Sequence, residues 1–160
     1  MPDRPTALPF ADMSVATVTF SALLLGTAMA SPAAQAAGDT PSPENARVYF
    51  INLSDGDTVS SPFKIQFGLT GMGVAPAGVP KLANTGHHHL LINTTLEGVA
   101  LSRPLPADDQ HRHFGKGQTE TVLELPPGAH TLQLVLADWK HTPHNKPVMS
   151  PRISITVKQK

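Results

Sequence analysis

The sequence has no cysteine among its 160 residues. That absence excludes a disulfide framework, a thiolate metal site, a cysteine nucleophile and a lipidated bacterial N-terminus. An excess of one charge is also missing, because 12 Lys and Arg balance 12 Asp and Glu, and charged residues make up only 15% of the chain. Such a chain has no basic face for nucleic acid and no polybasic patch for anionic lipid. Nucleic acid is therefore excluded as the main partner.

Aromatic residues are scarce and histidine is abundant. Six Phe, one Tyr and one Trp leave little for stacking on bases or sugar rings. The chain has eight histidines, and all of them lie between positions 87 and 144. In a protein without thiols, imidazole is the main ligand for borderline metals such as zinc and copper. The histidines are therefore the candidate functional residues.

The N-terminal part of the chain has the pattern of an export signal. Residues 13–30 form an uncharged apolar run. This run is too short and too rich in small residues to make a good membrane span. Two cleavage patterns follow, Ala28-Met29-Ala30 and Ala34-Gln35-Ala36. We predict a signal peptide over residues 1–36, with a transmembrane anchor as the alternative. The mature protein is then expected in the periplasm or secreted, with no membrane attachment after cleavage.

The rest of the chain alternates apolar and polar residues with a period of two, which is typical of strands. After a flexible lead at 37–45, we predict one β-sandwich domain over 46–160. The predicted strands are Arg47 to Leu53, Phe63 to Leu69, His87 to Ile92, Thr121 to Leu125, His130 to Asp138 and Ile153 to Val157.

Six or seven such strands joined by Gly and Pro turns indicate an all-β, antiparallel, immunoglobulin-like β-sandwich. Residues 52–59 and 125–132 resemble strand boundaries of bacterial immunoglobulin-like modules. Two connections, Thr70 to Gly86 and Asn93 to Gln118, are longer than ordinary loops and flank the histidines. Long connections in a compact domain are usually functional or disordered.

Three short motifs contain seven of the eight histidines. In an extended strand, residues two apart share one face at about 6.6–6.8 Å, so an H-x-H pair can direct two imidazoles at one point. Two H-x-H pairs and one H-x-x-H pair make a site with four nitrogen ligands feasible. The motifs are Gly86-His87-His88-His89-Leu90-Leu91-Ile92, Asp109-Gln110-His111-Arg112-His113-Phe114-Gly115 and Asp138-Trp139-Lys140-His141-Thr142-Pro143-His144.

Each histidine also has an ordinary structural interpretation. His88 shares a face with Leu90 and Ile92, and His130 begins the apolar face of the strand that follows it, so both are expected in or beside the core. For the two H-x-H pairs, ligation and simple solvation both stay open, and we place the rings of His87 and His89 outside the core. The predicted metal ligands are His87, His89, His111, His113, His141 and His144. Their supporting partners are predicted to be His88, Asp138, Gln118 and Glu120.

Four segments in this order carry a family resemblance: NTGHHHLLIN (84–93), HRHFGKGQTE (111–120), LELPPGAHTLQLVLAD (123–138) and HTPHNKPVMSPRISITV (141–157). They resemble a family of small exported bacterial proteins whose domain is of unknown function. Members are sometimes labelled rod-shape-determining proteins. The resemblance covers roughly residues 73–157 and implies a periplasmic, mostly β domain with the three histidine motifs and no assigned activity or ligand.

Three hypotheses for function follow. The first is an exported protein that binds copper or zinc through its clustered histidines and acts as a carrier, buffer or sensor. The second is an envelope interaction module with a protein partner, whose histidines form a hydrogen-bond network without metal. A metal-dependent enzyme is the third, and we expect it least.

The export hypothesis predicts a mature N-terminus near Ala37. Mass-spectrometric analysis of the protein recovered from the native cell envelope measures it directly. Soluble cytoplasmic protein that still begins at Met1 or Met13 would contradict the predicted localisation.

Overall fold

The fold is all-β, with ten strands and no helix in the part of the chain that the structure describes. A computed structural model describes residues 38–79 and 81–158, so the predicted signal peptide lies outside it. Within these residues, no helix has the length and apolar character needed to cross a bilayer. The strands are β1 (Arg47–Phe50), β2 (Thr58–Ser60), β3 (Phe63–Thr70), β4 (Gly73–Val74), β5 (Thr85–Ile92), β6 (His111–His113), β7 (Glu120–Leu123), β8 (Gly128–Ala137), β9 (Pro143–Met149) and β10 (Ile153–Lys158).

The strands form two sheets. The smaller sheet has the order β1-β3-β7, with antiparallel pairs throughout. The larger sheet follows the path β2-β10-β8-β5-β4, with β6 added to β5 and β9 added to β8. Its central pair is β5 with β8, antiparallel from His87 opposite Ala137 to Ile92 opposite Leu132. Two short pairs, β2 with β10 and β4 with β5, are parallel and supplement the mainly antiparallel ladders.

One apolar core joins the two sheets. From the smaller sheet it takes Ile65 and Phe67 of β3, which alternate with wetter neighbours as the period-two pattern predicts. From the larger sheet, alternate residues of β5, β8 and β10 enter the same cluster. These contributions are Leu90, Ile92, Leu132, Leu134, Leu136, Ile153, Ile155 and Val157. The sandwich-like all-β arrangement expected from the sequence is confirmed.

A second, smaller apolar cluster covers the outer face of the larger sheet. Leu91, Val135 and Ala137 point away from the main core and contact the connection between β5 and β6. That connection supplies Leu96, Leu101 and Leu105, three leucines that are each at least nine-tenths buried. The long segment after Asn93 therefore packs on the sheet, which explains why β5 and β8 are apolar on both sides.

Four strands were not predicted: β2, β4, β6 and β9. The first three have only two or three residues, too few for a period-two pattern to show. The fourth contains Pro143 and Pro147, which argue against a strand when the sequence is read alone. β9 forms because it pairs with β8, with a register irregularity at Leu136 and Ala137.

Replacing Leu134 by Ala tests the position of the main core. This side chain is fully buried in β8, so its truncation is expected to lower the free energy of unfolding by about 2–5 kcal/mol. Val122→Ala is the matched control, because Val122 is 62% exposed and should change stability by no more than about 0.5 kcal/mol. Urea denaturation measures both, and equal effects would contradict the assignment of faces.

Candidate metal centre

Four histidines converge at one edge of the larger sheet: His87, His89, His113 and His141. Each offers one ring nitrogen, and these four atoms all lie within 4.8 Å of one another. The structure thus brings together four of the six predicted ligands, and at least one comes from each of the three motifs. No other group of three or more His, Asp or Glu with this spacing occurs among residues 38–79 and 81–158.

Strand geometry places three of these imidazoles on one face. Residues of β5 alternate, so His88 and Leu90 point into the main core while His87 and His89 point to the outer face. β6 pairs antiparallel with β5, and His113 lies directly opposite His89. Directly opposed residues share a face of the sheet, which brings the His113 ring to the two rings of β5.

The fourth imidazole comes from the connection between β8 and β9. Because Ala137, the last residue of β8, pairs with His87, the chain that follows passes beside the pair on β5. His141 has a φ of +66°, in the left-handed region that non-glycine residues seldom adopt. Its carbonyl accepts a 2.8 Å hydrogen bond from the backbone N–H of Leu105, in the segment that covers the outer face.

Ring nitrogens in this group lie at ligand-to-ligand distances. His87 Nε2 is 3.0 Å from His89 Nε2 and 3.2 Å from His141 Nδ1. A tetrahedral zinc ion with bonds of 2.0–2.1 Å separates its nitrogen ligands by about 3.3 Å. The His113 ring centroid is 4.5 Å from that of His141 and 5.0 Å from those of both β5 histidines. The four nitrogens could therefore hold a metal ion.

Burial differs across the group. His87 and His89 are 0% and 1% exposed, so their rings are fully buried although they lie outside the main core. They do lie on the face opposite the main core, as predicted, but the β5–β6 connection and the other two histidines cover that face. His141 is half-buried and His113 is exposed. The site thus has a closed floor on the sheet and one open side at His113.

The environment favours neutral imidazoles, the form that binds metal. Burial, with smaller effects from His141 and His113, lowers the pKa of His87 to about 4. Burial together with the neighbouring rings of His87, His113 and His141 lowers the pKa of His89 to about 2. The pKa of His113 is also lowered, by burial first and by His141 second. Protonating any one ring would place a cation among the others.

Asp138 supports the site through the backbone of the connection rather than through a ring. Its Oδ1 accepts hydrogen bonds from the backbone N–H groups of Lys140 at 2.9 Å and Thr142 at 3.0 Å. Its Oδ2 accepts a 2.6 Å bond from the Thr40 hydroxyl. The sequence predicted a carboxylate that orients an imidazole, whereas the structure shows one that fixes the turn carrying His141.

The other two predicted ligands lie apart from the group. His111 is on the same strand as His113, and its Nδ1 lies 2.8 Å from Asp108 Oδ1 at the wall of a surface cavity of about 580 Å³. His144, in β9, is completely buried, and neither of its ring nitrogens has a hydrogen-bond partner among the described residues. Burial lowers the pKa of His144, which keeps this imidazole neutral as well.

Three predicted supporting residues do not contact the group through hydrogen bonds. His88 lies in the main core, where its ring centroid is 5.2 Å from that of Phe67 and burial lowers its pKa to about 4. Gln118 Oε1 accepts a bond from the backbone of Lys116. The Glu120 carboxylate pairs with Lys64 at 2.7 Å and with Gln66 at 3.1 Å on the smaller sheet.

His130 has the structural role expected of it. The ring is 7% exposed, with Nδ1 3.0 Å from Asn93 Nδ2 and Nε2 2.8 Å from the carbonyl of Pro126. Because the carbonyl can only accept, Nε2 carries the proton and donates it, and Nδ1 accepts from the amide.

Two glycines of the histidine motifs lie where a side chain would collide with its neighbours, and neither was predicted as a site residue. A Cβ at Gly115 would collide with the His113 ring. A Cβ at Gly86 would lie 2.6 Å from the carbonyl oxygen of Ala137 and 3.1 Å from His144 Nε2. Glycine beside a ligand strand is the signal for such close approach.

Comparisons with known proteins give little beyond the family. No curated protein matches the chain. Among solved structures, the chain is similar to the X-ray structure of the endo-beta-1,4-mannanase from Thermotoga petrophila, with a TM-score of 0.40 and 15% identity. The match covers 72% of this chain and 20% of that chain, so the chain spans about one fifth of its length. Similarity at this level carries no argument about fold or activity.

A family model matches residues 65–158, a range that includes all eight histidines and eight of the ten strands. Only β1, β2 and the first two residues of β3 precede it. The resemblance to a family of unknown function is confirmed to that extent. The chain belongs to the family described as Domain of unknown function (DUF4399).

Proposed function

We propose that this protein binds a single copper or zinc ion through His87, His89, His113 and His141. The observation that carries the proposal is the convergence of one ring nitrogen from each of these four side chains within 4.8 Å. Imidazole suits both metals, and the chain has no thiolate that would compete for them. Copper(II) is expected to bind more tightly than zinc, because it stands higher in the Irving–Williams order.

A metal-free hydrogen-bond network accounts less well for the same contacts. A neutral imidazole has one N–H, yet His87 Nε2 faces both His89 Nε2 and His141 Nδ1. If it accepts from both, the proton of His87 is on Nδ1, which is buried with no partner among the described residues. If His87 Nε2 instead carries the proton and donates it, only one of its two contacts is a hydrogen bond. Lone pairs that converge from neutral rings suit a cation better.

The donor set supports holding a metal rather than catalysis by it. Structural zinc sites use four protein ligands, whereas catalytic sites keep one position for water or substrate. Four imidazoles fill a tetrahedral site. The exposed ring of His113 provides the open side through which an ion can enter and leave. We therefore propose a carrier, buffer or sensor of metal ions, acting outside the cytoplasm.

Single replacements on β6 test which histidines bind. His113→Ala is expected to weaken copper and zinc binding by at least about 100-fold, since losing a ligand costs more than losing a supporting partner, which costs about 10–100-fold. His111→Ala is the matched control, because it removes the same side chain two residues away on the same strand. The copper and zinc affinity of the His111→Ala variant should stay within about threefold of wild type. Competition titration with a chromophoric chelator measures both, and equal losses would contradict the four-histidine site.

The pH dependence of binding tests the buried rings. For four ligands with the ordinary histidine pKa of 6.5, proton competition would weaken binding about 10⁴-fold between about pH 7.5 and pH 5.5. Because the pKa values of His87 and His89 are lowered to about 4 and about 2, these two rings are already neutral at both pH values. We therefore expect a loss far below 10⁴-fold, because His87 and His89 contribute almost nothing to it.

Calorimetric titration with Cu(II) and Zn(II) at the two pH values makes this measurement. A loss near 10⁴-fold would show that the rings on β5 titrate as if solvated. Wild-type protein that binds neither metal at the higher pH would overturn the proposed function and favour the envelope interaction module.

A further inference from the structure

The fourth ligand of the proposed site lies on a connection that contacts the N-terminal lead. Three of the four histidines lie on paired strands, but His141 lies on the β8–β9 connection. Asp138 fixes that connection by accepting the N–H groups of Lys140 and Thr142 on Oδ1. It also forms a local backbone turn, in which its carbonyl accepts a 2.9 Å bond from the N–H of His141.

The second oxygen of Asp138 has its partner 98 residues away. The Thr40 hydroxyl donates to Oδ2 at 2.6 Å, and both residues are buried, at 7% and 4% exposed. A buried carboxylate must have its oxygens satisfied, because a buried acceptor left unpaired is costly. Thr40 therefore contributes to holding Asp138 in the orientation that fixes the turn.

The lead itself is anchored to β9 on both sides of Thr40. Gly38 donates its N–H to the carbonyl of Pro143 at 3.2 Å. The carbonyl of Thr40 accepts from the N–H of Asn145 at 2.9 Å. The hydroxyl of Ser42 donates to the carbonyl of Lys146 at 2.7 Å. These bonds place the Thr40 hydroxyl at Asp138 with little freedom to leave it.

We propose that Thr40 is a positioning residue of the metal site, which acts through Asp138 on His141. This inference rests on the proposed function. Without the Thr40 hydroxyl, Oδ2 of Asp138 loses its protein partner, the turn at residues 138–142 loosens and His141 Nδ1 leaves its place beside His87 Nε2. The remaining three histidines stay on their strands. The residues before β1, predicted as a flexible lead, are then part of the site.

Three variants separate this role from general stability. Thr40→Val removes the hydroxyl at nearly constant volume. Thr40→Ser keeps a hydroxyl donor and should therefore retain metal binding. Ser42→Ala is the matched control, because it removes another hydroxyl bond between the lead and β9 but no contact to Asp138. All three keep the full chain and every histidine.

Metal affinity and the copper ligand set are the readouts. Thr40→Val is expected to weaken Cu(II) and Zn(II) binding by about 10–100-fold, the usual effect of losing an outer hydrogen-bond partner of a ligand. The nitrogen hyperfine pattern of bound Cu(II) should change from four nitrogens to three. Thr40→Ser and Ser42→Ala should retain both the affinity and the pattern of wild type.

A metal-free measurement keeps the two proposals distinguishable. In the apo protein, Thr40→Val should speed hydrogen exchange of the Thr142 amide, which bonds Asp138 Oδ1, relative to Ser42→Ala. Wild-type affinity and a four-nitrogen pattern in Thr40→Val would overturn the role of Thr40 and leave the proposed function standing. Equal losses in Thr40→Val and Ser42→Ala would also overturn it, since the lead would then act only through general stability. If wild type binds no metal, the proposed function falls. Unchanged exchange of the Thr142 amide in Thr40→Val would separately overturn the link from Thr40 through Asp138 to the turn.

Discussion

The antiparallel pairing of β5 with β8 is the interaction on which both the core and the candidate site depend. Six opposed residue pairs fix the register from His87 to Ile92. Because side chains alternate along a strand, a shift of one residue would send His87 and His89 into the main core and Leu90 outward. The same register sets where β8 ends, and hence where the turn that carries His141 begins.

Burial of polar groups on this strand is the cost of that arrangement. His87, His88 and His89 are all at most 1% exposed, and β5 buries seven of its eight residues. Neutral imidazole is the least costly polar ring to bury, since it has one donor and one acceptor and can discard its charge by losing a proton. Lysine or arginine at these positions would either bury a positive charge or have to lose it at a cost in free energy. The choice of histidine is therefore consistent with a closed site for a cation.

The sequence predicted the parts of the fold that local patterns encode. Alternation located β3, β5, β8 and β10, and the H-x-H spacing located the pairs on β5 and β6. It could not tell His141 from His144, because only two residues separate them and the irregular pairing of β8 with β9 decides which ring meets β5. Nor could it place Asp138, whose partners are backbone amides and a hydroxyl 98 residues away. Such choices depend on contacts between distant segments, which composition and periodicity do not record.

The three consecutive buried histidines also connect folding to proton uptake. In the unfolded chain they titrate near 6.5, whereas burial lowers the pKa values of His87 and His88 to about 4 in the folded state. Between these values the unfolded chain binds more protons than the folded one, so acid favours unfolding. The stability that these rings contribute is fully present above about pH 6.5 and is lost as the pH falls toward 4. Acid thus weakens the contribution of this strand to stability, and any ligand that occupies the rings opposes that loss by mass action.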